Sequence, residues 1–296
     1  MHIVIIGAGR IGKAMASLVQ NKKKVFIDFW DKDVAKVIDQ KPLLDIVTDA
    51  DIVFMCVPSS AVRVVSEAIQ SHLSSKTGVI SLSKGIEQET YKTMAEVLQE
   101  VLPPGQEFAL LDGPMLADEI VQGLPTVGAL GTTTRRLYTR LKKLFENTNL
   151  RVEYNHDVQG VALASVLKNI YAIGTGIGEG LGYGDNFRGW FLSQASQEMA
   201  IILKMLKSKP TTAYSAAGLG DLIATGISPY SRNHTVGREI GSQGQTALKS
   251  EGLHSLVSIL YLINNQVGEL PILSALQKVL LEKQSARTIF EALLAN

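Results

Sequence analysis

The chain has 296 residues, of which 46% are hydrophobic and 19% are charged, and its formal net charge is +1 at pH 7. A chain of this length normally forms two domains, and this composition is that of a globular protein with a large core. A net charge so close to zero excludes an overall field that attracts nucleic acid or an anionic membrane, so any anionic ligand must be bound locally. The single cysteine, Cys56, excludes an internal disulfide and fits a reducing compartment. Its apolar neighbours favour a small buried side chain over a catalytic thiol.

No leader pattern and no apolar stretch of the ~20 residues needed to cross a bilayer are evident in the sequence. We therefore expect a cytoplasmic protein without stable membrane insertion and without a nucleic-acid partner.

The first half of the chain alternates strand-like and helical segments. Apolar runs that are not interrupted by polar residues are typical of strands buried on both faces of a parallel sheet. Such runs occupy residues 2–6, 24–31, 51–57 and 78–82, and a helical pattern covers 10–20. This alternation predicts an α/β fold, an N-terminal Rossmann-type doubly wound sheet. Residues 107–131 are rich in turns, with a possible last strand at 127–130.

The second half reads as an all-α C-terminal domain. Strand-like runs end at about residue 155, and the long helical patterns cover residues 158–182, 188–207, 245–268 and 272–295. We place the domain boundary near residue 150, which gives a dinucleotide-binding domain over 1–150 and a helical, substrate-binding domain over 151–296.

Six glycines stand at every second position from Gly174 to Gly184. They have two interpretations, close helix packing or space for a ligand, and the sequence does not separate them.

The run Gly7-Ala-Gly-Arg-Ile-Gly12 has the G-x-G-x-x-G spacing, and it follows a strand and opens a helix. In that context Gly7 permits a tight turn, Gly9 lets a pyrophosphate approach the backbone, and Gly12 permits close packing of helix on strand. We predict that this segment, including Arg10 and Ile11, binds a nicotinamide dinucleotide.

Asp31 ends the second strand, where an acid accepts hydrogen bonds from the adenosine ribose. Its carboxylate would repel a 2′-phosphate and so favours NAD. Arg10 leaves NADP possible, because a guanidinium beside the ribose could accept that phosphate.

Two lysines are candidates for the acid–base chemistry. Lys168 lies within an apolar helical stretch, where desolvation would lower its pKa toward a range useful for proton transfer. The alternative is a side chain that extends along the helix to water. Lys84 follows a strand at the carboxyl edge of the sheet, where ligands bind, although a solvated loop lysine would look the same. The five scattered histidines show no metal-ligand spacing, so we predict no metal site.

Residues 218–233 concentrate a carboxylate, hydroxyls, an arginine and an asparagine. Ser231, Arg232 and Asn233 would suit a phosphate, because an arginine offers a planar fork of donors. A capped helix start would have the same residue types.

With these residues in place, the chain resembles the bacterial-type NAD(P)-dependent glycerol-3-phosphate dehydrogenases over nearly its whole length. The matching motifs are Gly7-Ala-Gly-x-x-Gly12, Val57-Pro-Ser59, Ser83-Lys-Gly-Ile-Glu87, Gly113-Pro114 with Ala117 and Glu119, Leu167-Lys-Asn169, Gly182-Tyr-Gly-Asp-Asn186, Gly218-Leu-Gly-Asp-Leu222, Ser231-Arg-Asn233, Glu251-Gly252 and Leu270-Pro-Ile272.

The resemblance implies reduction of dihydroxyacetone phosphate to sn-glycerol 3-phosphate by hydride transfer from NAD(P)H, which supplies phospholipid synthesis. It implies that Lys168 is the general acid, that Lys84 helps to polarise the carbonyl and contacts the cofactor, and that Asp221 pairs with the lysines. By the same resemblance, substrate contacts come from Gly113, Asn169, Thr225, Ser231, Arg232 and Asn233, and cofactor contacts from Ala117, Arg232 and Glu251.

This chain departs from the family where Asp112-Gly-Pro-Met115 replaces the usual Ser-Gly-Pro-Ser and where Arg10-Ile11 replaces Ser-Trp or Ser-Tyr. Two alternatives therefore stay open. One is a reductase of another small phosphorylated or carboxylated carbonyl compound, and the other is a non-catalytic dinucleotide sensor. The apolar helical domain leads us to expect a homodimer.

Overall fold

The computed structural model describes residues 1–295 and divides into two compact units, Met1–Ala162 and a second that begins at Leu163. The division falls later than the boundary predicted near residue 150. The reason is a strand, Leu150–Asn155, that the sequence pattern did not reveal and that belongs to the sheet of the first unit. Its alternation of apolar and polar residues is typical of a strand with only one face buried.

The first unit is built on a seven-stranded sheet with the order β2-β1-β3-β4-β5-β6-β7. All pairs are parallel except β5 and β6, which are antiparallel. The strands are β1 His2–Ile6, β2 Phe26–Trp30, β3 Ile52–Met55, β4 Gly78–Ser81, β5 Phe108–Asp112, β6 Thr126–Gly131 and β7 Leu150–Asn155. The predicted Rossmann-type sheet is confirmed, including the strand expected at 127–130. Strand β5 was not expected in the turn-rich segment.

Helices of the first unit connect these strands. They are α1 Arg10–Val19, α2 Leu43–Thr48, α3 Val62–Ile69, α4 Met94–Val101, α5 Ala117–Val121 and α6 Arg135–Leu144. Strands β1, β3 and β4 are buried along almost their whole length, as their uninterrupted apolar sequences predict, and they form the centre of the core.

The second unit is helical, as predicted. Its helices are α7 Val158–Gly180, which begins before the division at residue 162, then α8 Asp185–Met205, α9 Asp221–Ile227, α10 Arg232–Gln243, α11 Glu251–Leu262, α12 Pro271–Leu280 and α13 Ala286–Ala295. Two predicted bounds were wrong. The helix expected over 245–268 spans only α11. The one expected over 272–295 is two helices, because the chain turns between α12 and α13 with Lys283 at a φ of 58°.

Helix α7 is long and apolar enough to cross a membrane by length and composition, although no such stretch was expected from the sequence. Its most apolar window is entirely buried within the protein, which is the situation of a core helix.

The glycines of α7 permit close packing against α10. A Cβ added at Gly176 would lie 2.1 Å from the carbonyl oxygen of His234, and one added at Gly180 would lie 2.3 Å from that of Arg238. Since both contacts are with backbone, neither can be relieved by a rotamer change.

The other glycines of this series differ among themselves. Added Cβ atoms at Gly174 and Gly178 would meet the rings of Phe191 and Phe187 at 2.2 Å and 2.1 Å, whereas Gly184 has nothing within 4 Å. The packing interpretation is therefore confirmed for the four glycines within α7. Gly182, which has a φ of 85° and nothing within 4 Å of an added Cβ, lies outside it with Gly184.

Candidate active site

The three glycines of the fingerprint segment have different surroundings. Gly7 has a φ of 102°, and an added Cβ would lie 2.4 Å from the carbonyl oxygen of Cys56. A Cβ at Gly12 would lie 2.0 Å from the carbonyl oxygen of Gly7, so both positions require glycine for the fold itself. Gly9, in contrast, faces open space, with nothing within 4 Å of an added Cβ. That open position at the start of α1 is where a pyrophosphate approaches the backbone in dinucleotide-binding folds.

The start of α1 fits an anionic ligand for a second reason. Gly9 precedes the helix without a side-chain cap, and the first turn holds no acidic residue. The first backbone N–H groups of a helix have no intrahelical acceptors, and together with the helix dipole they bind phosphate groups. The side chain of Ile11 packs against the core of the first unit, so its contribution to a bound dinucleotide would come from its backbone. The residues present thus fit a dinucleotide cofactor.

Asp31 follows β2 and braces the fingerprint segment. Its carboxylate accepts hydrogen bonds from the backbone N–H of Ala8 at 2.8 Å and of Asp33 at 2.9 Å, and Lys36 lies 3.5 Å away. Burial by itself raises the pKa of Asp31, but these donors outweigh it and hold the pKa below its usual value. The bond to Ala8 was not expected from the sequence. A carboxylate has acceptor sites for further donors, so this bracing is compatible with the predicted contact to ribose.

Arg10, the first residue of α1, forms an ion pair with Asp118 in the first turn of α5. The pair brings Ala117, the first residue of α5, to the same end of the sheet as the fingerprint segment. Both of these predicted cofactor residues therefore lie on one side of the first unit. The guanidinium already has a carboxylate partner, Asp118, which the sequence did not reveal and which bears on the binding of a 2′-phosphate by Arg10.

Lys84 lies three residues beyond Ser81, the last residue of β4, at the carboxyl edge of the sheet, as predicted. Its ammonium is 3.6 Å from a carboxylate oxygen of Asp112 and 3.5 Å from the carbonyl oxygen of Gly113. Gly113 has a φ of 151°, and an added Cβ would lie 2.7 Å from the carbonyl oxygen of Val127, so this position requires glycine. We call Lys84, Asp112 and Gly113 the β-edge group.

Met115 stands where the family that the sequence resembles usually has a serine. Its side chain packs against the core of the first unit, and its sulfur would lie 2.9 Å from a Cβ added at Gly128. Met115 therefore fills space beside a glycine of β6. Its apolar character follows from packing.

Lys168 is buried on α7, with 6% of its surface exposed. Its ammonium donates to the hydroxyl of Thr225 at 2.7 Å and lies 3.3 Å from a carboxylate oxygen of Asp221. The Thr225 hydroxyl donates in turn to Asp221 at 3.0 Å. Of the two interpretations open from the sequence, the side chain extending to water is wrong, since the ammonium is buried and paired with Asp221. The lowered pKa stays a prediction. We call these three residues the buried lysine group.

Asp221 and Thr225 are four residues apart on α9, so both side chains lie on one face of the helix. The segment before α9, Ala216–Gly220, forms a single π-helical turn, a feature frequent at functional sites. A Cβ added at Gly218 would lie 2.2 Å from the carbonyl oxygen of Ala213. This local packing explains the glycine-rich sequence that sets Asp221 at the start of the helix.

Asn169, next to Lys168 on α7, belongs to a chain of hydrogen bonds among buried groups. Its side-chain oxygen accepts from the amide of Asn233 at 2.8 Å, and the Asn233 oxygen accepts from the backbone N–H of Gly252 at 3.0 Å. Glu251, the first residue of α11, is exposed beside this chain. Asn169 and Asn233 are thus brought together through their own side chains, and Glu251 is brought near them through its neighbour Gly252.

Ser231 caps α10 by accepting a hydrogen bond from the backbone N–H of His234 at 3.2 Å. The helix-cap interpretation is therefore confirmed for Ser231. Arg232, the first residue of α10, is exposed, and among residues 1–295 no acidic side chain lies within ion-pair distance of it. Its guanidinium is available for an anionic ligand.

No group of three or more metal-ligating side chains occurs among residues 1–295. Burial raises the pKa of the Cys56 thiol to about 12, which agrees with an unreactive side chain.

Comparison with known proteins gives matches in both units. The family described as "NAD-dependent glycerol-3-phosphate dehydrogenase N-terminus" matches residues 34–138, and its C-terminus counterpart matches residues 157–291. A glycerol-3-phosphate dehydrogenase [NAD(P)+] of Staphylococcus epidermidis is 33% identical, with 98% of this chain and 97% of that protein covered. One of Fusobacterium nucleatum is also 33% identical, covering 90% of this chain and 81% of that protein.

Solved structures are similar along the whole chain. Glycerol-3-phosphate dehydrogenase from Coxiella burnetii has a TM-score of 0.86 at 26% identity, covering 100% of this chain and 99% of that one. The enzyme from Plasmodium falciparum has a TM-score of 0.87 at 18% identity, covering 100% and 95%, which shows likeness of fold.

Proposed function

Because the chain belongs to the NAD-dependent glycerol-3-phosphate dehydrogenase family, we propose that it reduces dihydroxyacetone phosphate to sn-glycerol 3-phosphate with NAD(P)H. The observation that carries this proposal is the buried lysine group, in which a desolvated ammonium is held by Asp221 and Thr225. Reduction of a ketone to an alcohol requires one proton at the oxygen, and a positioned, buried acid is the group suited to deliver it.

When bound, the nicotinamide would supply the hydride, and residues of the chain would stabilise the developing charge and supply the proton. Lys168 donates a proton from Nζ to the substrate oxygen as negative charge develops on that oxygen. In the reverse direction the neutral amine accepts the proton from the alcohol. Asp221 and Thr225 hold the ammonium in place through contacts at 3.3 Å and 2.7 Å, which limits its motion during the transfer.

Lys84 has the complementary role of an electrophilic group. Its positive charge polarises the carbonyl, and charge stabilisation of this kind is effective when the donor is already oriented. The backbone carbonyl of Gly113 helps to orient it. Gly113, Asn169, Thr225, Ser231 and Asn233 are the other proposed substrate contacts.

Arg232 is the proposed partner of the substrate phosphate. An arginine binds phosphate through two parallel N–H donors, and this guanidinium has no acidic partner among the described residues. Its placement at the first position of α10 adds the favourable field of a helix N-terminus. We also assign it, with Glu251 and Ala117, to cofactor contact.

NAD is the proposed cofactor in preference to NADP. Asp31 places a carboxylate at the end of β2, where it disfavours a 2′-phosphate, and Arg10 is paired with Asp118. The expected result is a higher kcat/KM with NADH than with NADPH.

Membership of the family supports a proposal about the location and oligomeric state of the enzyme. We propose a cytoplasmic homodimer that supplies glycerol phosphate for phospholipid synthesis. Size-exclusion chromatography with light scattering tests the dimer directly.

A second candidate function is reduction of a different small carbonyl compound. One observation favours it, the buried carboxylate of Asp112 in the β-edge group, since a negative charge there opposes an anionic substrate. Met115 gives it no support, because its side chain packs against the core.

The test is the rate of NADH oxidation at 340 nm with dihydroxyacetone phosphate and with a panel of 2-oxo acids. We expect turnover with the former. Turnover only with a 2-oxo acid would replace the first function by the second. Binding of NADH without turnover of any of these compounds would favour a dinucleotide sensor.

A further inference from the structure

The β-edge group contains a carboxylate to which the proposed reaction assigns no part. Asp112 is the last residue of β5, and 1% of its surface is exposed. Lys84 follows β4, the strand parallel to β5 and paired with it. The carboxyl ends of neighbouring parallel strands meet at one edge of a sheet, and this places the carboxylate 3.6 Å from the lysine ammonium.

The two partners of this ion pair differ in freedom. The side chain of Asp112 is short and fully enclosed, whereas 23% of the Lys84 side chain is exposed, on a stem with four rotatable bonds. The enclosed carboxylate therefore determines where the ammonium lies. The adjacent carbonyl of Gly113 gives the ammonium a second fixed acceptor, at 3.5 Å, from the next residue of the chain.

We propose that Asp112 is the positioning residue for Lys84, fixing its ammonium at the carboxyl edge of the sheet. This proposal rests on the proposed function, in which Lys84 polarises the substrate carbonyl. Asp112 acts through Lys84 and does not bind the substrate, because a carboxylate and an anionic substrate repel each other.

That repulsion gives the proposal a kinetic signature. Loss of the carboxylate frees Lys84 from its fixed position, and this lowers kcat. The same change removes a negative charge near an anionic substrate, so KM does not rise. A residue that bound the substrate directly would show the opposite pattern when removed, a higher KM.

The experiment is a double-mutant cycle with Asp112→Asn and Lys84→Met, measured with dihydroxyacetone phosphate and NADH. We expect Asp112→Asn to lower kcat about tenfold or more in the wild-type background, since small misplacements of reacting groups have effects of this order. In the Lys84→Met background it lowers kcat less than about twofold, because residues that act as a unit are not additive. Equal effects in both backgrounds would overturn the proposal, as would a raised KM with unchanged kcat.

The chain offers a matched control at the opposite end of the same strand. Glu107 immediately precedes β5, is 5% exposed, and pairs with Arg136 at 2.9 Å. Glu107→Gln makes the same change of charge in an equally buried carboxylate, and we expect it to leave kcat and KM near wild type. A loss of kcat equal to that of Asp112→Asn would attribute the effect to stability and contradict the positioning role.

A second readout needs no turnover. A neighbouring carboxylate favours the charged form of a lysine, and only the neutral amine reacts with acetic anhydride. In Asp112→Asn, or in Asp112→Ser if the asparagine variant does not fold, we expect Lys84 to be acetylated several-fold faster relative to Lys142 in the same molecule, as measured by mass spectrometry. An unchanged rate of Lys84 acetylation would contradict the proposal that Asp112 fixes the position of the Lys84 ammonium. If the wild type does not reduce dihydroxyacetone phosphate but the labelling changes as expected, the proposed function fails and the anchoring of Lys84 by Asp112 stands.

Discussion

Lys84 of the first unit and Lys168 of the second unit are held in different ways. Lys168 is buried, and its ammonium donates a 2.7 Å hydrogen bond to the hydroxyl of Thr225 in addition to contacting its carboxylate partner. Lys84 is partly exposed, and its ammonium lies 3.5 Å from the carbonyl oxygen of Gly113 and 3.6 Å from a carboxylate oxygen of Asp112. The carboxylate of the first group lies on a neighbouring helix, and that of the second lies on a neighbouring strand.

The difference fits the two proposed roles, which are proton transfer by Lys168 and stabilisation of charge by Lys84. A group that transfers a proton must be held at hydrogen-bond distance and away from water, which the buried lysine group achieves. A group that stabilises charge acts over a longer range and tolerates partial exposure. We therefore expect the two lysines to fail differently when they are removed.

The largest expected effect is that of Lys168→Met. Removal of the general acid lowers kcat by about 10³-fold or more, within the range for acid–base catalysis, while the affinity for NADH stays near wild type. Stopped-flow or steady-state assays at 340 nm measure kcat, and quenching of protein fluorescence measures NADH binding. An unchanged kcat would contradict the role of the buried lysine group.

Lys84→Met is expected to have a smaller effect, about 10²-fold in kcat/KM, because charge stabilisation by one donor is typically of that order. Its KM for dihydroxyacetone phosphate rises, since a cation near an anion is lost. Lys142→Met, on the surface of α6, is the control with unchanged kinetics. Equal defects in the Lys84 and Lys168 variants, with the same split between kcat and KM, would remove the distinction between them.

Close packing of α7 against α10 is tested by the glycines of α7. Gly176→Ala places a methyl group 2.1 Å from the carbonyl oxygen of His234 and should lower the free energy of unfolding by about 2 to 3 kcal/mol. Gly184→Ala, where an added Cβ has nothing within 4 Å, is the control with a Tm near wild type. Thermal unfolding followed by circular dichroism measures both, and a similar loss in the two variants would contradict the packing interpretation.

The smallest expected effect concerns Glu198 of α8, a buried carboxylate that is held by neutral donors, in contrast to Asp221 beside Lys168. Burial raises its pKa to about 7, although the backbone N–H groups of Ile272 and Leu273 and the hydroxyl of Tyr171 favour the charged form. The folded protein therefore binds this proton more tightly than the unfolded chain. The stabilisation of the folded protein by this proton on Glu198 is fully present below about pH 4.5 and is lost as the pH rises through about 7.

Between pH 5 and 7 this loss should amount to about 2 kcal/mol of unfolding free energy. Urea denaturation of the wild type and of Glu198→Gln measures it, and the variant should lack this part of the pH dependence. Identical slopes in the two proteins would show that Glu198 does not titrate as stated.

Much of the fold could be predicted from sequence because its signals are local. Uninterrupted apolar runs marked β1, β3 and β4, and the change to helical periodicity marked the second domain. Strand β7 was missed because its alternating pattern differs from that of its buried neighbours, and the break between α12 and α13 was missed because both helices share one apolar periodicity.

The candidate site was predictable only in part. The sequence identifies Lys168 and Asp221 as candidates, but their contact joins residues on different helices and depends on tertiary packing. The pairing of Lys84 with Asp112 likewise depends on which strands are neighbours in the sheet. Asp31 shows the same limit, because its bond to Ala8 follows from the way β1 and β2 align.

The most direct test of the buried lysine group is chemical rescue of Lys168→Ala. The space left by the lysine side chain admits a small amine, so added methylammonium should restore part of kcat, and a series of amines should give rates that follow their basicity. The wild type and Lys84→Ala should not respond. Absence of rescue at Lys168 together with rescue at Lys84 would contradict this account and assign the proton transfer to the β-edge group.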